Sequence, residues 1–134
     1  DLTHNRGDIF RAFLEGIAMG TAQVFETYEA IGQNPKKIMA VGGGTKNNIW
    51  MQATSDFSKI DQVVSEKSTG ASYGNAFLAA LAVGAVSQRD ITRWNPPLSK
   101  IKTQHSTLHA EKNKLFRQLY ESSKEIAHAV ADST

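Results

Sequence analysis

The sequence contains no cysteine, which excludes a disulfide framework, thiolate zinc ligation and a cysteine nucleophile. Proline is scarce, and Gly and Pro together make only 13 of 134 residues, far below collagenous or low-complexity compositions. Long apolar runs are missing too. The longest, Ala76 to Val83, has 8 residues, against the ~18 that a membrane span requires. Charge of one sign is also lacking, since 15 Lys and Arg face 13 Asp and Glu for a net charge of +2. So small a surplus does not supply the counterion-release footprint of a nucleic-acid binder. The opening Asp1-Leu2-Thr3-His4 does not read as a signal peptide. No membrane, no nucleic acid and a cytoplasmic location are therefore expected. The 40% hydrophobic content describes a soluble globular chain of one domain or less. The absence of an initiating Met is what a piece of something longer would show.

Four blocks follow one another. From Asn5 to Gln33, apolar residues recur at helical spacing: Ile9, Phe13 and Ile17, with Phe10 and Leu14 beside them and Val24 and Tyr28 further on. Asn5 and Asp8 form a capping pair, and Gly32 with Pro35 ends the helix. Gly16 and Gly20 inside it fit a helix backbone lying close against a sheet. Lys37 to Val41 reads as a short buried strand, followed by Gly42-Gly43-Gly44 and a helix from Asn47 to about Phe57. A second strand is expected at Gln62 to Ser65 and a turn at Ser68-Thr69-Gly70-Ala71. Tyr73 to Val86 is apolar on nearly every side, as a buried helix is. A polar crossing at Asn95-Pro96-Pro97 leads to a helix from Thr107 to Val130, with Leu115, Leu119, Ile126 and Val130 as its inner face. The order is α-β-α-β-α plus a terminal helix, with parallel strands joined by crossovers. Two strands make a very narrow sheet, which suggests an incomplete domain.

The glycine turn is the informative place. A parallel strand ending in glycines puts backbone N–H groups at the carboxyl edge of the sheet, where α/β folds bind ligands. Glycine lets a flat ring or a phosphate approach without a Cβ in the way. The helix starting near Asn47 aims its unpaired N–H groups at the same place, and Asn47 or Asn48 can cap it while the other amide stays free. Three glycines alone fit an ordinary βα loop better than a ligand site, because they match neither the Walker A pattern nor the dinucleotide fingerprint.

The wider context narrows the choice. Ala40-Val41-Gly42-Gly43-Gly44-Thr45-Lys46-Asn47-Asn48-Ile49-Trp50-Met51-Gln52, with Ser55-Asp56, resembles the adenosine-binding segment of the FGGY carbohydrate kinases. Gly74-Asn75-Ala76-Phe77-Leu78-Ala79 through Gly84 is similar to that family's Gly-Ala-Ala helix, at its usual spacing from Gln52. Arg11-Ala12-Phe13-Leu14-Glu15-Gly16-Ile17-Ala18 resembles an upstream helix of the family, and Leu119-Tyr120 to His128 its last helix. Asn75, where the family has Ala, and Ser72-Tyr73 before the glycine depart from the pattern and loosen any transfer of substrate identity.

The resemblance implies a fold, a site and a reaction. The fold is a partial RNase H-like domain of the actin/hexokinase-like ATPase type. The site is the adenosine half of an ATP cleft, with Gly42, Gly43, Gly44, Thr45, Lys46 and Asn48 as cofactor-binding residues. The reaction is transfer of the ATP γ-phosphate to a hydroxyl of a small sugar or polyol, a pentulose such as xylulose being favoured. ATP and Mg²⁺ are the implied cofactors, with Mg²⁺, the catalytic base and the phosphate loops supplied mainly by parts outside this chain. The chain alone is expected to be inactive, and to form a homo-oligomer or associate with the rest of the kinase.

Other candidates carry less. His105 and His109 have metal-ligand spacing but no third ligand in sequence, and they read as exposed polar residues. Asp56 and Asp61 read as solvated carboxylates at a helix end, not as catalytic groups. Lys100, Lys102, Lys112 and Lys114 read as a solvated face without interleaved aromatics. Trp50 reads as a core anchor between its helix and the sheet. The rival readings are an actin-like nucleotide-sensing or assembly module without phosphotransfer, and a purely structural α/β domain.

Overall fold

A computed structural model describes residues 3–67 and 70–133. Helix α1 spans Arg6–Ala30, and its capping box joins Asn5 Oδ1 to the amides of Gly7 and Asp8 while Asp8 accepts from Asn5 N. Strand β1 (Ile38–Ala40), helix α2 (Asn48–Ser58), strand β2 (Gln62–Ser65) and helix α3 (Ala71–Ala82) follow. A short helix α4 (Ile91–Trp94), strand β3 (Pro97–Ile101) and the long helix α5 (Thr107–Asp132) complete the order. Of the turn expected around residues 68–71, Ser68 and Thr69 lie outside the described residues. Gly70, at φ +72, leads into α3. No helix among the described residues is long and apolar enough to cross a membrane.

The sheet has the order β1-β2-β3. β1 and β2 pair in parallel, Ile38 opposite Gln62, as the helix between them requires. β3 was not expected. It pairs antiparallel to β2, with Gln62 opposite Ile101 and an irregularity at Val64/Ser65. The segment read as a polar crossing thus corrects to α4 and a third strand. Pro97 is tolerated because it is the first residue of an outer strand, where its missing N–H breaks no central ladder. Residues 97–100 are exposed, so the apolar alternation that marks a half-buried strand is absent.

The core lies where α1 crosses α2. Ala18 and Ala22 of α1 pack on Ala53 and Phe57 of α2, with Met19 at the margin. The small alanines let the helices approach closely. The expected apolar row is therefore corrected: Ile9, Phe13 and Ile17 are exposed, and Leu14, Glu15, Ala18 and Ala22 form the buried row. No atom lies within 4 Å of a Cβ built on Gly16 or Gly20, so these glycines do not serve close packing on the sheet in this chain. Two further expectations fail in the same way. In α3 only Phe77 is buried, against the Trp94 ring at 5.4 Å. In α5, Leu115, Leu119, Ile126 and Val130 are all exposed, and the helix instead buries Asn113, whose Nδ2 donates to the Phe57 carbonyl at 3.2 Å. Apolar composition marks surface suited to burial, but burial requires a neighbour, and among the described residues none covers these faces.

Candidate functional site

After Val41 the chain must leave the sheet and enter α2. Gly42 makes that change at φ +92 and ψ −178, a backbone region strongly disfavoured for a residue with a Cβ. Gly43–Lys46 then wind into one 3₁₀ turn. The Gly42 carbonyl accepts from Thr45 N at 3.2 Å and from Thr45 Oγ1 at 2.7 Å, and the Gly44 carbonyl accepts from Asn47 N at 3.0 Å. Asn47 Oδ1 then accepts the Trp50 N–H at 3.1 Å and caps α2. Asn47 therefore takes the cap, and Asn48 stands exposed at the first helical position.

The three glycines have different surroundings. Gly42 is required by its backbone angle. Gly44 has no left-handed φ, but a Cβ there would lie 2.7 Å from Cζ3 of Trp50. Gly43 has neither constraint: its φ is not left-handed, no atom lies within 4 Å of a built Cβ, and the residue is exposed. Gly44 and Thr45 border a cavity of about 200 Å³ shared with Val41, Trp50 and Met51. Asn48 opens on a different concavity, about 360 Å³, with Arg11, Glu15, Gln52 and His109 on its walls. The structure brings Gly42 to Lys46 together in one turn and sets Asn48 beside it, facing the cleft between α1, α2 and α5.

The second half of the motif holds the fold. Gln52 Nε2 donates to Asp56 Oδ1 and to the Lys102 carbonyl, each at 2.9 Å, and Asp56 Oδ1 also accepts Gln104 N at 2.6 Å. Ser55 Oγ lies 3.4 Å from the Ile101 carbonyl and accepts from Gln62 Nε2 at 3.0 Å. These groups fasten the chain leaving β3 onto α2. Asp56 is therefore a buried anchor, 6% exposed, and not a solvated helix-end carboxylate. Asp61 is half-buried and binds Lys100 Nζ at 2.9 Å and Thr103 N at 3.1 Å, and these partners hold its carboxyl below the usual aspartate value. The two histidines are also engaged, not simply exposed. His105 Nδ1 lies 2.8 Å from the Asp56 carbonyl oxygen, and His109 Nδ1 accepts Ser106 N at 3.1 Å at the start of α5.

Glu15, on the cleft wall, is ligated from two sides by Lys112 Nζ at 2.6 Å and Arg11 Nε at 2.8 Å. Burial pushes its carboxyl up, but the hydrogen bonds and charges of Lys112 and Arg11 outweigh this and hold it below the usual glutamate value. Sequence reading missed the Trp50–Gly44 contact, the clamp of Asn95 on Lys67 (2.9 and 2.8 Å) and the bond from Tyr73 Oη to the Trp94 carbonyl at 2.8 Å. The clamp and the tyrosine bond join residues 28 and 21 positions apart, a range at which no local pattern signals pairing.

The sequence model for the FGGY family of carbohydrate kinases, C-terminal domain, matches residues 1–83. The xylulose kinase of Bacillus subtilis is 32% identical over 84 residues, which are 63% of this chain and 17% of that protein. The crystal structure of xylulose kinase from Rhodospirillum rubrum superposes with a TM-score of 0.81 at 25% identity, covering 96% of this chain and 27% of that one. Plasmodium falciparum glycerol kinase, crystallised with ADP, superposes with a TM-score of 0.72 at 25% identity over 93% of this chain and 25% of its own. This chain therefore spans only about a sixth to a quarter of these proteins. The structural match continues past the family model through β3 and α5, and its neighbours are sugar kinases of the actin/hexokinase-like ATPase fold. The glycine turn, the helix it feeds and the fold around them agree on one assignment: the chain belongs to the FGGY family of carbohydrate kinases.

Proposed function

We propose that this chain is the adenosine-binding, C-terminal part of an ATP-dependent kinase that transfers the γ-phosphate to a hydroxyl of a small sugar or polyol. The observation that carries this reading is Gly43. A glycine costs conformational entropy that alanine does not, and neither backbone angle nor packing requires one at this position. Close approach of a ligand would. The turn lies at the carboxyl end of a parallel strand and at the start of α2, where N–H groups favour an anion or a ribose hydroxyl. Gly42, Gly43, Gly44, Thr45 and Lys46 form the cradle in this reading, and Asn48 supplies an exposed amide beside it. The ADP carried by the glycerol kinase relative supports an adenine nucleotide as occupant, and the xylulose kinases support a pentulose as acceptor.

Phosphoryl transfer of this kind depends on positioning and charge neutralisation. This chain supplies the first, by fixing the nucleoside end of the donor. Among the described residues no group of three or more His, Cys, Asp or Glu side chains fits a metal ion. In the proposed enzyme other parts hold the ion, the catalytic base and the phosphates. The exposed rows of α1, α3 and α5 suit association with those parts.

The test is titration of the chain with ADP, read by amide chemical shifts. Saturable shifts confined to residues 42–48, at weak affinity, are expected. Gly43→Ala should keep the fold and weaken binding. Nanomolar affinity, or ATP hydrolysis by the chain alone, would overturn the proposed division of the site.

A further inference from the structure

We infer that Trp50 and Gly44 form a size-complementary pair that positions the glycine turn, so that the missing side chain at Gly44 makes room for the ring beneath it while its backbone remains part of the cradle. The inference rests on the nucleotide reading only for its second readout. Three observations support it. A Cβ on Gly44 would stand 2.7, 3.2 and 3.4 Å from three atoms of the indole ring, the first of them well inside ordinary carbon contact. The Gly44 backbone is not left-handed, so the ring is the obstacle to a side chain there. The backbone that carries Trp50 is tied to the turn, because its main-chain N–H donates to Asn47 Oδ1 and Asn47 N donates to the Gly44 carbonyl. Ring, cap and turn thus form a closed loop of contacts over the cavity that Val41 and Met51 help to line. Indole is flat and rigid, with only two side-chain torsions, so an added methyl displaces the turn more readily than it displaces the ring.

Trp50 is in this account a positioning residue. It touches no ligand and sets the height of the backbone that does. The pair makes a prediction that neither residue makes alone: shrinking the ring should restore what enlarging the glycine destroys.

The experiment compares Gly44→Ala, Trp50→Leu and the double variant in this chain, with Gly43→Ala as control. Amide hydrogen exchange is measured without ligand and ADP affinity with it. Gly44→Ala should speed exchange at residues 43–47 by about tenfold, the scale of a modest overpacking penalty. The double variant should return exchange to within about twofold of the parent, since the clash is gone and the volumes again match. Gly43→Ala should leave exchange unchanged. ADP affinity should follow exchange across the Gly44 and Trp50 variants, while the thermal midpoint of the double variant stays near that of Trp50→Leu alone. Additive effects of the two substitutions, or no response to Gly44→Ala, would overturn the pairing. If exchange shows the coupling but no variant and no parent chain binds ADP, the pairing stands and the nucleotide reading falls.

Discussion

Asp56 illustrates what one side chain decides in this molecule. Its carboxylate accepts from Gln52 Nε2 and from Gln104 N, and with 6% exposure little water can replace either bond. Asp56→Ala should cost about 1–3 kcal/mol, the penalty for leaving buried donors unpaired. The measurement is the denaturant midpoint, together with faster exchange at the Gln104 amide. Asp56→Asn, which keeps an acceptor oxygen in place, should lose less. Equal losses for Ala and Asn would show that charge and not hydrogen bonding anchors the segment. The contrast with Gly43 is instructive. Asp56 is held by partners from two segments and fixes the fold, whereas the space a Cβ on Gly43 would occupy is open.

At the scale of elements, α1 and α5 are joined by charge more than by apolar packing. Glu15 and Lys112 meet at 2.6 Å, and Arg117 binds Glu26 further along. Because the native Glu15 pKa is depressed, its contribution is complete above the unfolded glutamate value and is lost as pH falls through the native one. Lys112→Met removes one of the two cations that oppose the upward push of burial. Stability at neutral pH should fall by about 1–2 kcal/mol, between the values for exposed and buried pairs. The acid limb of the stability curve should also flatten, which chemical denaturation at several pH values would show. An acid limb as steep as in the parent chain would place the pH dependence elsewhere. Asp61, likewise depressed by Lys100 and Thr103, would then be the first alternative.

For the whole molecule the dominant fact is uncovered apolar surface. Ile9, Phe13 and Ile17 on α1, and Leu115, Leu119, Ile126 and Val130 on α5, are each about half exposed or more. Continuous apolar faces of this kind mark interaction surfaces in soluble proteins. The chain should self-associate or aggregate at concentrations where a domain without such faces stays monomeric, as sedimentation velocity would show. In the proposed kinase, the parts outside this chain should suppress this when added. A monodisperse, highly stable monomer would show that the faces need no cover.

The residues named in advance around Gly42 to Asn48 do form one turn and one helix start, because strand, glycine turn and cap are local patterns whose partners lie within a few positions. The parallel pairing of β1 and β2 was legible for the same reason: a helix between two short apolar strands leaves little other choice. β3 was not, since an outer strand of exposed Leu98, Ser99 and Lys100 has no periodic signature and exists through its ladder to β2. The buried faces of α1, α3 and α5 were misjudged because periodicity reports which surface is apolar, and only packing reports which surface is covered. By itself, then, the sequence determined the glycine turn, the asparagine pair that offers a cap and the family pattern, which are written in consecutive residues. The third strand, the anchoring role of Asp56 and the indole beneath Gly44 were decided by the tertiary structure, because each depends on how side chains and backbone meet in space once the chain has folded.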